Sequence, residues 1–264
     1  MLRAMDANAI EAAVYELFGT IDQMAPGSPA STRRALAAAR EVLARGELGK
    51  LAVIDLGCGT GASTLTLAAE LADQLAGPIL AVERHAPHLE RLRERAAAGG
   101  LGATIETRVA DMRTLEPPEG GYDLVWAEGS LYGIGFEAGL ALGVRLLAGA
   151  GVLAATELVW LDADPPEPAR AFFASEYPQM RTHAQARACV ERAGGVLVED
   201  FVLPAADWAA YYALVRERLK AVDRSQAAMP EVCAMVEAEV DIWERFGSSY
   251  GYAFFVADLT AQPG

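Results

Sequence analysis

The stretch from Val53 to Thr64 reads V-I-D-L-G-C-G-T-G-A-S-T and constrains the fold more than any other part of the chain. An apolar run, Leu51 to Leu56, is interrupted only by Asp55 and meets three alternating glycines, Gly57, Gly59 and Gly61. A helical pattern follows, with Leu65, Ala68, Leu71, Ala72 and Leu75 on one face. A buried strand, a tight glycine turn and a helix start in that order make a nucleotide-binding βα corner. Glycine tolerates positive φ and lets a ligand approach the backbone closely. The spacing is G-x-G-x-G with Ala62 next, so the dinucleotide pattern G-x-G-x-x-G is not met. Asp55, two residues before the first glycine, would repel a pyrophosphate and suits a ligand that carries an ammonium group.

Two further acids extend the pattern. Ile79 to Val82 is a short apolar run ending at Glu83, followed by Arg84. A carboxylate at the end of a second strand can accept hydrogen bonds from both hydroxyls of a ribose. Thr104 to Val109 reads as a third strand and leads into Ala110-Asp111-Met112. There an acid can accept from an adenine amino group, and the next backbone N–H can donate to the ring. Acids at the carboxyl ends of three successive strands share one crevice, where open α/β sheets bind ligands. S-adenosylmethionine, with an ammonium, a sulfonium and no phosphate, fits that set. The predicted cofactor contacts are Asp55, Gly57, Cys58, Gly59, Gly61, Glu83, Arg84, Asp111, Met112 and Glu128.

The segment Asp55 to Gly61, Glu83, Asp111 and Tyr122-Asp123-Leu124-Val125-Trp126-Ala127-Glu128-Gly129 resemble the ordered motifs of class I S-adenosylmethionine-dependent methyltransferases. Three other stretches, Met24 to Pro29, Glu128 to Phe136 and Tyr250 to Phe255, are similar to a bacterial small-molecule subgroup related to the ubiquinone and menaquinone C-methyltransferases. The resemblance implies S-adenosylmethionine as methyl donor, S-adenosylhomocysteine as product and a small-molecule methyl acceptor. It identifies the cofactor better than the acceptor.

The alternation of strand and helix patterns predicts an α/β fold, a doubly wound, mostly parallel sheet covered on both faces. With the resemblance, this becomes a seven-stranded Rossmann-like methyltransferase sheet. The expected strands are 51–56, 79–82, 104–109, 122–127, 151–158, 196–203 and 252–259. One domain is expected over 1–264: an N-terminal helical segment (1–46), a core (47–206), a helical lid inserted at 207–248 and a last strand in 249–264. In the insertion, Trp208, Tyr211, Leu214, Val215 and Leu219 lie on one helical face, and Val232, Met235, Val236, Val240 and Trp243 on another. These helices either close over the strand ends or only pack against the sheet.

Charge narrows the function classes. With 36 acidic and 22 basic residues the net charge is −14, and Arg91 to Arg95 is interleaved with Glu90 and Glu94 as on a solvated helix face. Such a chain lacks the phosphate-neutralising surface that nucleic acid binding needs. The apolar stretch Ala138 to Ala155 holds Arg145 and several glycines, so no membrane span is expected, and no apolar signal core follows the N-terminus. A cytoplasmic protein is expected, with a homodimer left open. Cys58, Cys189 and Cys233 read as reduced thiols, and Cys58 as a small turn residue.

For the chemistry, three residues are candidates. Glu128, at the end of the fourth strand, could face the methionine ammonium or take a proton from the acceptor; the other reading is a carboxylate capping the Gly129-Ser130 turn. Tyr132 and His183 are the other two, although His183 reads more readily as a helix-start residue. Tyr15, Tyr132, Trp208 and Tyr211 are the expected acceptor contacts. His85 and His88 lack a third ligand nearby, so no metal is expected. Two other classes share these features in part: a non-catalytic S-adenosylmethionine-binding accessory protein, and an NAD-dependent oxidoreductase, which the glycine spacing and Asp55 oppose.

Overall fold

The computed structural model describes residues 7–45 and 49–259. Two helices come first, α1 (Ala7–Phe18) and α2 (Pro29–Leu43). Ser28 caps α2 by accepting from the Ser31 N–H at 3.2 Å, and Pro29 occupies the first turn, where its missing N–H is harmless. The core then alternates: β1 (Val53–Leu56), α3 (Ala62–Leu71), β2 (Ile79–Glu83), α4 (Ala86–Ala98), β3 (Ile105–Val109), β4 (Tyr122–Ala127), α5 (Phe136–Leu146) and β5 (Leu147–Trp160). After it come α6 (Glu167–Glu176), the short β6 (Arg181–Thr182), α7 (His183–Arg192), β7 (Val196–Val202), α8 (Ala205–Ala221), α9 (Met229–Phe246) and β8 (Tyr250–Asp258).

The sheet has the order β3-β2-β1-β4-β5-β8-β7, with β6 paired to β5. Strands β1 to β6 pair in parallel, whereas β8 runs antiparallel to both β5 and β7. The expected mostly parallel sheet is therefore present, with the two-residue β6 added. The β1/β2 and β1/β4 neighbours place the ends of β1, β2 and β4 side by side, which gathers the glycine turn, Glu83 and Glu128.

Each face of the sheet has its own apolar layer. Ile54, Leu56 and Val125 pack with Leu140 and Leu146 of α5 and Val190 of α7. On the opposite face, Val53, Trp126 and Phe254 pack with Leu36 of α2 and Leu67 of α3. A third core lies outside these layers: Leu17 of α1, Phe173 of α6, Trp208 and Tyr212 of α8, Val232 and Val236 of α9, and Tyr250. Burying a side chain of this size contributes roughly 1.5–3 kcal/mol, so the helices outside the βα core are fastened by their own apolar contacts.

Three details differ from expectation. Helix α6 (Glu167–Glu176) begins in the Pro-rich stretch 163–168, which carries no helical periodicity. Strand β5 is longer than 151–158: β8 pairs with it continuously from Val152↔Asp258 to Trp160↔Tyr250, and its first residue, Leu147, pairs with Tyr122 of β4. On α8, Leu214 is 42% exposed and Tyr212 is buried in its place. Positions 208, 211, 212, 215 and 219 follow the helical i, i+3, i+4 repeat, and 214 falls outside that stripe.

Candidate active site

The glycine turn is built from three left-handed residues, Gly57 (φ 69°), Gly59 (φ 53°) and Gly61 (φ 87°). The N–H groups of Gly57 and Cys58 both donate to the Val82 carbonyl, at 2.8 and 3.0 Å, and fix the turn to β2. The Gly59 N–H donates to Glu83 Oε2 at 3.2 Å. A Cβ on Gly57 would lie 2.5 Å from Ser130 Cβ, and one on Gly59 would lie 2.9 Å from Met24 Sδ. Side chains are excluded here by space as well as by dihedral.

Around this turn opens a cavity of about 690 Å³. One wall comes from the βα turns: Gly57, Cys58, Gly59, Glu83, Arg84, Asp111, Met112, Glu128 and Ser130. The other is apolar and aromatic, drawn from α1, α6, α8, α9 and β8, with Phe18, Phe173, Tyr177, Trp208, Tyr211 and Tyr252 among its residues.

Glu83 is held by three backbone donors: Oε1 accepts from the Arg84 and His85 N–H groups at 2.8 and 3.0 Å, and Oε2 from Gly59. Arg84 pairs with Glu11 and donates to the Tyr15 hydroxyl at 3.2 Å. Tyr15 in turn stacks on His85, with ring centroids 3.9 Å apart. Asp111 is chelated by Arg113, whose Nε lies 3.0 Å from both carboxylate oxygens, and that guanidinium holds the carboxyl well down, to about 2.

Glu128 sits where the two walls meet. Its Oε1 accepts from Thr32 Oγ1 and from Trp126 Nε1, both at 2.8 Å. Exclusion from bulk water, aided by the charges of Asp55 and Asp207, pushes its carboxyl up to about 7 against the pull of those two donors. A carboxyl with that pKa is half-ionised near neutrality and can exchange a proton with a ligand. Next to Thr32, the Ser31 hydroxyl donates to Asp207 Oδ2 at 2.5 Å, so adjacent residues of α2 bind the Glu128 site and the start of α8.

Residues 53–151 match the methyltransferase domain family. Two solved structures with similar folds are methyltransferases bound to S-adenosylhomocysteine. One, from Geobacter sulfurreducens, has 18% identity and TM-score 0.77 over 93% of this chain and 97% of its own. The other, from Thiobacillus denitrificans, has 18% identity and TM-score 0.74 over 92% and 96%. The cyclase SpnF is also similar, at 19% identity and TM-score 0.69 over 95% and 92%. No curated protein sequence matches the chain. The fold is a methyltransferase fold.

Within this methyltransferase fold, most of the residues singled out from the sequence line one cavity. Gly57, Cys58, Gly59, Glu83, Arg84, Asp111, Met112 and Glu128 do so on the polar wall, and Tyr15, Tyr132, Trp208 and Tyr211 on the other side. Three are placed elsewhere. Asp55 is fully buried beneath the turn, where Oδ2 accepts from Ser63 (3.0 Å) and Thr64 (2.7 Å). Its burial raises the carboxyl to about 6, and it braces the start of α3 instead of facing the cavity. Gly61 is also behind the wall, packed on Leu92, where a Cβ would come within 2.1 Å of Cδ1. His183 lies outside the cavity altogether. It opens α7 after the capping residue Thr182, as its helix-start reading has it, with Nε2 2.9 Å from Asp200 Oδ2.

The sequence reading missed Met24, Ser130, Tyr177 and Glu239, all of which line the cavity. Ser130 bonds the Leu56 carbonyl at 2.6 Å, and its place directly after Glu128-Gly129 was the available signal. Met24 opens the Met24–Pro29 stretch, which does not by itself mark a ligand contact, and Tyr177 and Glu239 carry no local motif. Among the described residues, no group of three or more His, Cys, Asp or Glu could hold a metal ion, and no helix is long and apolar enough to cross a membrane.

Proposed function

We propose that the protein transfers a methyl group from S-adenosylmethionine to a small-molecule acceptor. The observation that carries this reading is the single cavity that joins the glycine turn and Glu83 to a space walled by aromatic rings. Its volume, about 690 Å³, falls within the roughly 300–1,000 Å³ typical of small-molecule sites. The donor-binding residues fit the cofactor chemically: a left-handed glycine turn that admits no side chain, a carboxylate at the end of β2 for two ribose hydroxyls, and Asp111 with the Met112 N–H for adenine. S-adenosylmethionine supplies an activated methyl on sulfonium, so the protein has only to place and dry the acceptor.

The chain's own residues then have distinct tasks. Glu83, pre-oriented by backbone donors, holds the ribose. Glu128, its Oε1 fixed by Thr32 and Trp126, holds an ammonium or takes the acceptor's proton. Tyr15, Tyr132, Trp208 and Tyr211 position the acceptor. Residues 207–248 act as a lid that excludes water, anchored through Asp207 to Ser31. The resemblance of three segments to the quinone-related subgroup adds weight to a partly apolar acceptor.

A methyl-labelled donor incubated with the protein and a cell extract tests the reading. Label is expected in the small-molecule fraction and absent from protein and nucleic acid. S-adenosylhomocysteine binding without any labelled product would favour the second reading, a non-catalytic accessory protein. Absence of binding at millimolar S-adenosylhomocysteine would remove both.

A further inference from the structure

The aromatic end of the cavity is not uniformly apolar. Glu239 of α9 lines it, and its Oε1 accepts from the Tyr212 hydroxyl at 2.8 Å. Around that carboxylate stand Trp208, Tyr211, Tyr212, Tyr250 and Tyr252, with Trp208 stacked on Tyr252 at 5.6 Å and edge-on to Tyr250 at 5.7 Å. Tyr211 and Tyr212 are 5.0 Å apart. Glu176, exposed at the end of α6, adds a second carboxylate to the same wall.

Cations are distributed the other way. Among the described lining residues, the arginines are Arg84 and Arg113, both on the polar wall, and no lysine appears. Arg84 is engaged by Glu11, and Arg113 by Asp111. The aromatic end thus carries two carboxyl groups without a protein cation to pair with them. Withdrawal from water raises the Glu239 carboxyl, and burial, aided by the nearby Glu239 carboxylate, raises the hydroxyl pKa of Tyr211 and Tyr250. An unpaired carboxylate among rings is costly to ionise unless a ligand brings the opposite charge. Rings around a carboxylate also attract a cation through their faces.

We propose that this end of the cavity binds an organic cation, an ammonium group on an apolar or aromatic body, and that such a compound is the methyl acceptor. The second half of that statement rests on the methyltransferase reading; the first does not. Glu239 pairs with the ammonium while the rings cover its carbon substituents. An anionic acceptor, a carboxylate or a phosphate, would meet Glu239 and Glu176 with no compensating cation.

The test is a charge series on one phenylethyl body, on the full chain saturated with S-adenosylhomocysteine: 2-phenylethylammonium, 2-phenylethanol and 3-phenylpropanoate. Binding is read by calorimetry and by the fluorescence of Trp208, which lies in the wall. The ammonium should bind at least about tenfold more tightly than the alcohol, with the carboxylate weakest. Glu239→Gln should reduce the preference for ammonium over alcohol to within about twofold and leave S-adenosylhomocysteine affinity unchanged, which also reports that the variant is folded. Equal binding of the three compounds, preference for the anion, or no binding of any at millimolar concentration would overturn the proposal, and so would a charge preference that survives Glu239→Gln. Failure of S-adenosylhomocysteine itself to bind would instead defeat the methyltransferase reading, because the charge series can be repeated on the unliganded protein.

Discussion

The two walls of the cavity are built in opposite ways. The polar wall consists of turns that follow β1, β2, β3 and β4; Glu83 and Asp111 are held there by backbone N–H groups of these turns or a neighbouring arginine, and Glu128 by the side chains of Thr32 and Trp126. The aromatic wall draws on five separate elements, α1, α6, α8, α9 and β8, and is held by side chains that meet across long stretches of sequence. Its hydrogen bonds are few and distant in sequence: Tyr212 to Glu239, Tyr177 to Glu157, Ser31 to Asp207. A wall made of turns preserves one ligand chemistry; a wall made of packed helices can change its lining without disturbing the sheet. That division suits a fixed methyl donor facing an acceptor that differs between proteins.

The largest effect should come from breaking the polar wall. Gly59→Val places a branched side chain at φ 53° and 2.9 Å from Met24 Sδ. The backbone strain is of order 1–3 kcal/mol, and relief would push Met24, itself a lining residue, across the site. S-adenosylhomocysteine affinity should fall at least about 100-fold. Calorimetry on the folded variant checks this, and near-normal affinity would mean that the ligand does not rest on this turn.

The aromatic wall should respond in stability instead. Glu157 is fully buried, with Oε1 accepting from Tyr177 at 2.5 Å and Oε2 without a hydrogen bond. Burial pushes its carboxyl up to about 7. The folded chain therefore keeps a proton that the unfolded chain releases at an ordinary carboxylate pKa. Stability from this group is complete below that ordinary value, falls as pH rises toward 7 and stays lower above it. The loss is up to about 3 kcal/mol. Urea unfolding at pH 5 and pH 8 should show a smaller decline in Glu157→Gln than in the parent. Parallel declines would mean that Glu157 ionises freely in the folded state.

The contrast between the walls also explains what could be read from the sequence. The turn residues Gly57 to Gly61, Glu83 and Asp111 lie a few residues from the strand that positions them, so periodicity and spacing place them in one crevice. Asp55 was legible as an important position but not as a buried brace, because its partners Ser63 and Thr64 lie one helical turn beyond the glycines. Tyr177 and Glu239 could not be read. Tyr177 follows a helix that begins in a Pro-rich stretch, and Glu239 sits among the charged residues of α9, where nothing local separates a lining carboxylate from a solvated one.

Glu83→Ala offers a finer test of the polar wall. It removes two predicted ribose hydrogen bonds and also the acceptor for the Gly59, Arg84 and His85 N–H groups. S-adenosylhomocysteine binding should weaken by about 1–3 kcal/mol. Glu83→Gln, which retains an acceptor oxygen, should recover part of that loss in calorimetry. If both variants bind as tightly as the parent, the ribose is held by other groups.

The smallest effect is expected outside both walls. His183 opens α7, its Nε2 faces Asp200, and its ring tilts over Phe255 at 5.5 Å. Asp200 keeps a second partner, Arg187, so removing the imidazole leaves no isolated charge. The Thr182–Gln185 capping box that starts the helix uses neither imidazole nitrogen. His183→Ala should therefore destabilise the fold by less than about 1 kcal/mol, as loss of a partly exposed polar contact does. Cofactor affinity and transfer of labelled methyl into extract should stay within about twofold, since no binding free energy of even 1 kcal/mol is at stake. Denaturant unfolding and the labelling assay measure the two quantities separately. A tenfold drop in methyl transfer at unchanged S-adenosylhomocysteine affinity would bring α7 into the chemistry, and the site would then have a third wall.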